Sequence, residues 1–173
     1  PNCGTRTATT ALAHAGRAAA AAAMVVTLSA CYGLGMARYD ELPRTPAAAC
    51  GYAAMDLDAS GYGEGDTGDG SNALEGSCVG KNSPEQVVWY HPDAEHRGAA
   101  GVLAITWTSP YAEVGVYVRE ECESGVELAC EPVASTGYIE LEVDALTDMS
   151  IIVDSNQPAN ASFELQVVFE PAQ

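Results

Sequence analysis

The sequence predicts an all-β fold, an antiparallel β-sandwich of jelly-roll type with about seven to nine strands, behind an N-terminal signal helix and a flexible tether. Three observations lead there. Short apolar, β-prone runs recur about every ten residues in the second half of the chain, separated by Gly, Pro, Asn and Asp. Several runs alternate apolar and polar residues, as strands half-buried against a second layer do. No segment after Cys31 sustains the 3.6-residue apolar period of a helix packed on a core.

The N-terminus has the layout of an export signal. Arg6, His14 and Arg17 precede an apolar run over residues 18–26 without a single acid, and small residues follow. The segment is too short to span a bilayer, because residues 18–30 fall well below the roughly 20 apolar residues a transmembrane helix needs. Leu28-Ser29-Ala30-Cys31 matches the bacterial lipobox, in which small side chains let the signal peptidase approach the bond before a Cys already bearing diacylglycerol. The expected organisation is a lipoprotein signal peptide over residues 1–30, a lipidated Cys31 carrying diacylglycerol and palmitate with a tether over 31–49, and one β-sandwich domain over 50–173. Each buried methylene contributes about 0.8 kcal/mol, so two or three acyl chains hold a protein durably on a membrane. Gly33, Gly35, Pro43 and Pro46 punctuate the tether. Tyr32, and not an Asp that retains some lipoproteins at the inner membrane, follows Cys31, so the expected location is the cell envelope with the outer membrane favoured.

The strands follow in order. Glu85-Gln86-Val87-Val88-Trp89-Tyr90 is stopped by Pro92. Val102 to Trp107 places Leu103, Ile105 and Trp107 on one face, and Val114 to Val118 places three valines on one face. In Tyr138 to Val143, Ile139, Leu141 and Val143 turn inward while Glu140 and Glu142 face water. Met149 to Val153 and Phe163 to Phe169 complete the set.

Charge narrows the partners. All 24 acidic residues lie beyond Cys31 but only five of the seven Lys and Arg do, a formal charge of 5 minus 24, or −19, for the expected mature chain. Such a surface repels polyanions, so nucleic acid is excluded as a partner; a membrane reached through the lipid, an envelope protein or a glycan remains. The cysteines agree with export. With Cys3 in the signal and Cys31 used by lipid, Cys50, Cys78, Cys122 and Cys130 remain as an even set, and two disulfides are expected. Four cysteines allow three pairings; sequence-local closure selects Cys50 with Cys78 and Cys122 with Cys130.

At this point the order of Cys50, a Gly-rich stretch, Ser77-Cys78, Pro84-Glu85 before an apolar strand, Val116-Tyr117-Val118 before Cys122, and Leu128-Ala129-Cys130 resembles the bacterial pre-peptidase C-terminal domain in its two-disulfide form. Ile151-Ile152-Val153-Asp154-Ser155 and the aromatic strand from Phe163 look like that family's closing pair of strands. The resemblance covers residues 50–169. It implies a β-sandwich or jelly roll that accompanies exported enzymes, or stands alone, without catalytic residues of its own. The chain departs from the pattern at Ala112-Glu113, Glu131-Pro132 and Ser155.

The residues with chemical potential are few. Asp56-Leu57-Asp58-Ala59-Ser60-Gly61 opens like a calcium loop, and Asp56, Asp58, Ser60 and Glu64 are the candidate ligands. The twelfth position is Thr67, where a calcium loop of that type needs a bidentate Glu, so the favoured reading is an edge strand with Leu57 inward, leading into a solvated Gly-rich loop. No cofactor is expected otherwise. His91 and His96, with Asp93 and Glu95 between them, read as an exposed hairpin loop. Trp89, Trp107, Tyr90, Tyr111 and Tyr117 could stack glycans, but strand alternation assigns some to the core. Without a nucleophile elbow or a spaced acid pair, the expected function is a non-catalytic, lipid-anchored envelope module of structural or protein-interacting type, the alternative being a ligand-binding module for glycan or calcium.

Overall fold

The computed structural model describes residues 45–51, 54–79, 83–156 and 160–173. The signal segment, Cys31 and the tether as far as residue 44 lie outside the described residues. The last part of the segment read as a tether is a short helix, α1 (Pro46–Cys50). Thr45 caps it, its side chain accepting from the Ala48 amide, and Pro46 stands in the first turn ahead of three alanines, so cap, proline and propensity agree.

Nine strands follow among the described residues: β1 (Met55–Asp56), β2 (Tyr62–Asp66), β3 (Glu85–Tyr90), β4 (Gly101–Thr108), β5 (Val114–Arg119), β6 (Glu127–Ala134), β7 (Thr136–Val143), β8 (Met149–Ser155) and β9 (Ser162–Pro171). They form a five-stranded sheet, β1-β3-β8-β5-β6, and a four-stranded sheet, β2-β9-β4-β7. The antiparallel pairs are nested, β5 with β6, β4 with β7, β3 with β8 and β2 with β9, as if one long hairpin had been rolled up. The β4–β9 and β5–β8 pairs close the roll. This is the jelly roll the sequence predicts, with β1 added in parallel at the edge of β3.

Two apolar layers hold it. Between the sheets lie Val88, Val114, Val116, Val118, Ile151 and Val153 from one sheet and Leu103, Ile105, Trp107, Ile139, Phe163, Leu165 and Val167 from the other, all at most 4% exposed. Outside the five-stranded sheet, Val87, Tyr117 and Ile152 are covered in turn by Ala49 of α1 and Leu74 of the segment 71–79. Strands β3, β5 and β8 are therefore buried on both faces, which explains why their apolar runs are continuous while β4, β7 and β9 alternate.

The disulfides correct the expected pairing. Cys50 bonds Cys122, and Cys78 bonds Cys130, two interleaved loops with sequence separations of 72 and 52 residues. The nested topology is the reason. Cys130 stands opposite Tyr117 in the β5–β6 ladder, while the strands end at the pair Arg119 and Glu127, so Cys122 lies beyond that end. Three strand residues span about 10 Å, more than the roughly 7 Å between Cα atoms that a disulfide tolerates. On the outer face α1 instead brings Cys50 to Cys122, where the Trp89 indole N–H donates to the Cys50 carbonyl at 3.2 Å.

Strand β2 replaces what reads as loop in the sequence. A Cβ at Gly65 would meet the Phe163 ring and the Met55 sulfur, so the core is filled there by side chains from β9 and β1 passing over a bare backbone. Strand β6 is likewise unannounced by its sequence, since it carries Pro132 between charged and small residues.

Candidate functional site

The β1–β2 turn, the β3–β4 loop and the β7–β8 loop meet at one end of the sandwich. Leu146, fully buried, pegs the third to the second: its amide donates to the Ala99 carbonyl at 2.8 Å and its carbonyl accepts from Gly98 at 2.7 Å. The sequence candidates that seemed scattered, Asp56, Asp58, Ser60, His91, Asp93 and His96, are thereby gathered at this end. All but Asp56 bound a cleft of about 390 Å³ with Leu57, Tyr90, Val167 and Phe169 in its walls.

The carboxylates and imidazoles there are engaged with neighbours. Asp58 closes its own turn: one carboxylate oxygen accepts from the Ser60 amide at 2.8 Å, the Ser60 hydroxyl at 2.7 Å and the Tyr62 amide at 2.9 Å. The Ser60 hydroxyl, then the Tyr62 amide, hold this carboxyl below the ordinary carboxylate value. Gly61 supplies the left-handed conformation the turn requires, at φ 77°.

His91 lies flat against Trp89, ring centroids 6.0 Å apart, with one ring nitrogen 3.3 Å from Asp56 and the other 3.1 Å from Asp148. Asp148 is also gripped by the Arg97 guanidinium through two hydrogen bonds of 2.8 and 3.2 Å. That guanidinium, and His91 after it, hold the Asp148 carboxyl below its ordinary range. Asp93 accepts from the amides of Glu95 and His96 and faces the His96 ring at 2.9 Å, and the His96 amide and ring lower its carboxyl likewise. His96 presents its ring edge-on to Phe169.

Glu64 is not part of this group. It stands exposed on β2, accepts from the Tyr62 hydroxyl, and lines a second, open cleft with Asp66, Asp69 and Glu164. Of the four calcium candidates, then, Asp58 and Ser60 bond each other, Asp56 faces His91, and Glu64 lies elsewhere. Among the described residues no group of three or more His, Cys, Asp or Glu side chains is placed to hold a metal ion. The aromatic candidates are also dispersed. Trp107 and Tyr117 are core, Trp89 packs beside α1, Tyr90 is in the cleft wall, and Tyr111 is 92% exposed on the β4–β5 connection.

One group escaped sequence reasoning altogether. Glu85 and Asp154, cross-strand partners on β3 and β8, are 0% and 1% exposed on the outer face of the five-stranded sheet. One Glu85 oxygen accepts from the Ser71 hydroxyl and the amides of Ala73 and Leu74, and one Asp154 oxygen accepts from the Ser83 hydroxyl. Their place at the polar ends of apolar runs gives no sign of burial.

No family model matches the chain, and no curated protein matches it. Solved structures do. The pre-peptidase C-terminal domain of a collagenase from Bacillus anthracis aligns with a TM-score of 0.44 at 11% identity, over 66% of this chain and 92% of that one. The Yersinia pseudotuberculosis-derived mitogen aligns with a TM-score of 0.41 at 10% identity, over 65% and 86%. A GH26-CBM35 β-(1,4)-mannanase from Podospora anserina aligns with a TM-score of 0.33 at 12% identity, over 66% of this chain but 29% of that longer one. The collagenase domain is from the family whose order of motifs the sequence resembles.

Proposed function

We propose that the protein is a non-catalytic module held on the bacterial cell envelope by lipid on Cys31, serving a structural or protein-interacting role. The observation that carries this reading is the state of the loop end: the imidazoles and carboxylates there are spent on one another and on the backbone, Asp58 and Asp93 closing their own turns and His91, Arg97, Asp56 and Asp148 joining the three segments. A site for chemistry keeps its groups aimed at a common point where a substrate atom could sit. Two further features support the anchored, exported setting. The interleaved disulfides belong to an oxidising compartment, and the lipobox stands close ahead of α1, so a tether over residues 32–44 extends at most about 45 Å.

The cleft between residues 57–61 and 91–96 favours one second reading, a glycan ligand. Its apolar walls and polar rim are the combination by which sugars are held. Affinity capture of the lipidated full chain from envelope extracts tests the main reading, and melting curves with a polysaccharide panel and with millimolar calcium test the second. A specific co-purifying envelope protein supports the first. Stabilisation by several degrees with one polysaccharide, lost in His96→Ala, replaces it with the second. A Cys31→Ser chain that stays in the membrane fraction refutes the anchor.

A further inference from the structure

Two carboxyl groups face each other across β3 and β8 beneath the segment 71–79, and each has one oxygen satisfied and one, Oε2 of Glu85 and Oδ2 of Asp154, buried without a hydrogen-bond partner among the described residues. Directly opposed residues in an antiparallel pair have Cβ atoms about 5 Å apart. Two ionised carboxylates at that separation, out of water, repel each other strongly and lose their hydration. The charged and titratable groups around them among the described residues bring little relief. Tyr117 of β5 is buried with its hydroxyl unpartnered, Glu127 of β6 bonds Ser77, and Glu75 of the covering segment adds a further acid. Arg119 of β5 is the nearby cation, but its guanidinium lies over the Tyr117 ring and donates to the carbonyls of Cys122 and Glu75.

We propose that Glu85 and Asp154 hold a single proton between them in the folded protein, and that its removal in alkaline solution loosens the segment 71–79 from the outer face of the five-stranded sheet. Asp154 is the member that carries the proton. Glu85 keeps three donors on one oxygen, an arrangement that suits the anion, whereas Asp154 has one. Burial, with the Glu85 charge adding to it against the Ser83 hydroxyl, pushes the Asp154 carboxyl up to about 8, and burial raises Glu85 as well. The segment is the part that gives way because Glu85 itself fastens it, through Ser71, Ala73 and Leu74, and Leu74 covers the outer apolar cluster.

The sign follows from proton binding. Between the ordinary carboxylate value of 3.8 and about 8 the folded state holds a proton that the unfolded chain has released, so raising the pH through that window lowers stability. The test is the melting temperature of the full chain from about pH 5 to about pH 9, beside Asp154→Asn and Glu85→Gln, with the carboxyl carbon of Asp154 titrated by NMR in the unaltered protein. The expected results are a melting temperature that falls as pH rises, a flatter profile in both variants, amide exchange at Ala73 and Leu74 that accelerates beyond its intrinsic pH dependence, and a titration midpoint near 8. An Asp154 carboxyl that titrates in the ordinary carboxylate range overturns the proposal whether or not either variant folds. So does an Asp154→Asn protein that keeps the original slope.

Discussion

Replacing Cys78 and Cys130 together by Ala removes the bridge that clamps the covering segment to β6 while leaving Cys50–Cys122 in place. With 52 residues of sequence separation, the loop-entropy relation gives a loss of about 4 kcal/mol from the release of the unfolded chain. Sequence-local closure of Cys122 with Cys130 across a separation of eight would have contributed only about 2.5 kcal/mol. A domain of this size loses roughly 3–4 °C per kcal/mol, so the double variant should melt about 12 °C or more below the parent in non-reducing buffer. Guanidinium unfolding gives the free energy directly, and peptide mapping of the unreduced parent identifies the partners. A loss below about 1 kcal/mol would refute the entropic reasoning. A peptide linking Cys50 to Cys78 would refute the nested topology that dictates the pairing.

Leu146→Ala should cost about 3 kcal/mol in urea unfolding and speed amide exchange at Gly98, because it removes the buried side chain that holds in place the backbone bonds joining two loops at the cleft end. Gly65→Ala drives a Cβ into the Phe163 ring and should destabilise by about 1–3 kcal/mol in the same assay, whereas Gly98→Ala, which meets nothing within 4 Å but sits at φ 83°, should cost about 1 kcal/mol. On the acid side, Asp58, Asp93 and Asp148 have carboxyls held below 3.8 by their partners; their contribution is present above that value and is lost as the pH falls through the lowered values. Melting should accordingly weaken below about pH 4, and Asp148→Asn should blunt the loss.

Legibility followed the side chains that a strand exposes to its own neighbours. In β4, Leu103, Ile105 and Trp107 announced their face by alternation, and in β7 Glu140 and Glu142 announced the other. Strand β2 was silent because its inward positions are Gly63 and Gly65, whose share of the core is supplied from β1 and β9. Strand β6 was silent because it is an edge, where Pro132 is tolerated and a full apolar face is not needed. The disulfide partners depend on which strands lie side by side, something local spacing does not encode. The same holds at the loop end. The Asp58 turn is visible in Asp-Ala-Ser-Gly, but the meeting of His91 with Asp148, 57 residues away, depends on the β3–β8 pairing.

The Cys50–Cys122 bridge has a mechanical consequence. In a protein tethered at Cys31, a pull along the chain meets, among the described residues, α1 and Cys50 first. From there the covalent bond passes tension to Cys122, just behind β5, a strand hydrogen-bonded on both sides by β8 and β6. Strands β1 to β5 are thereby short-circuited, including β1, the two-residue edge strand that would otherwise peel away one bond at a time. Under such tethering, traction would be borne by the strands that follow β5, β9 with its wall of the cleft among them, while residues 57–61 and 91–96 on the other side would be spared.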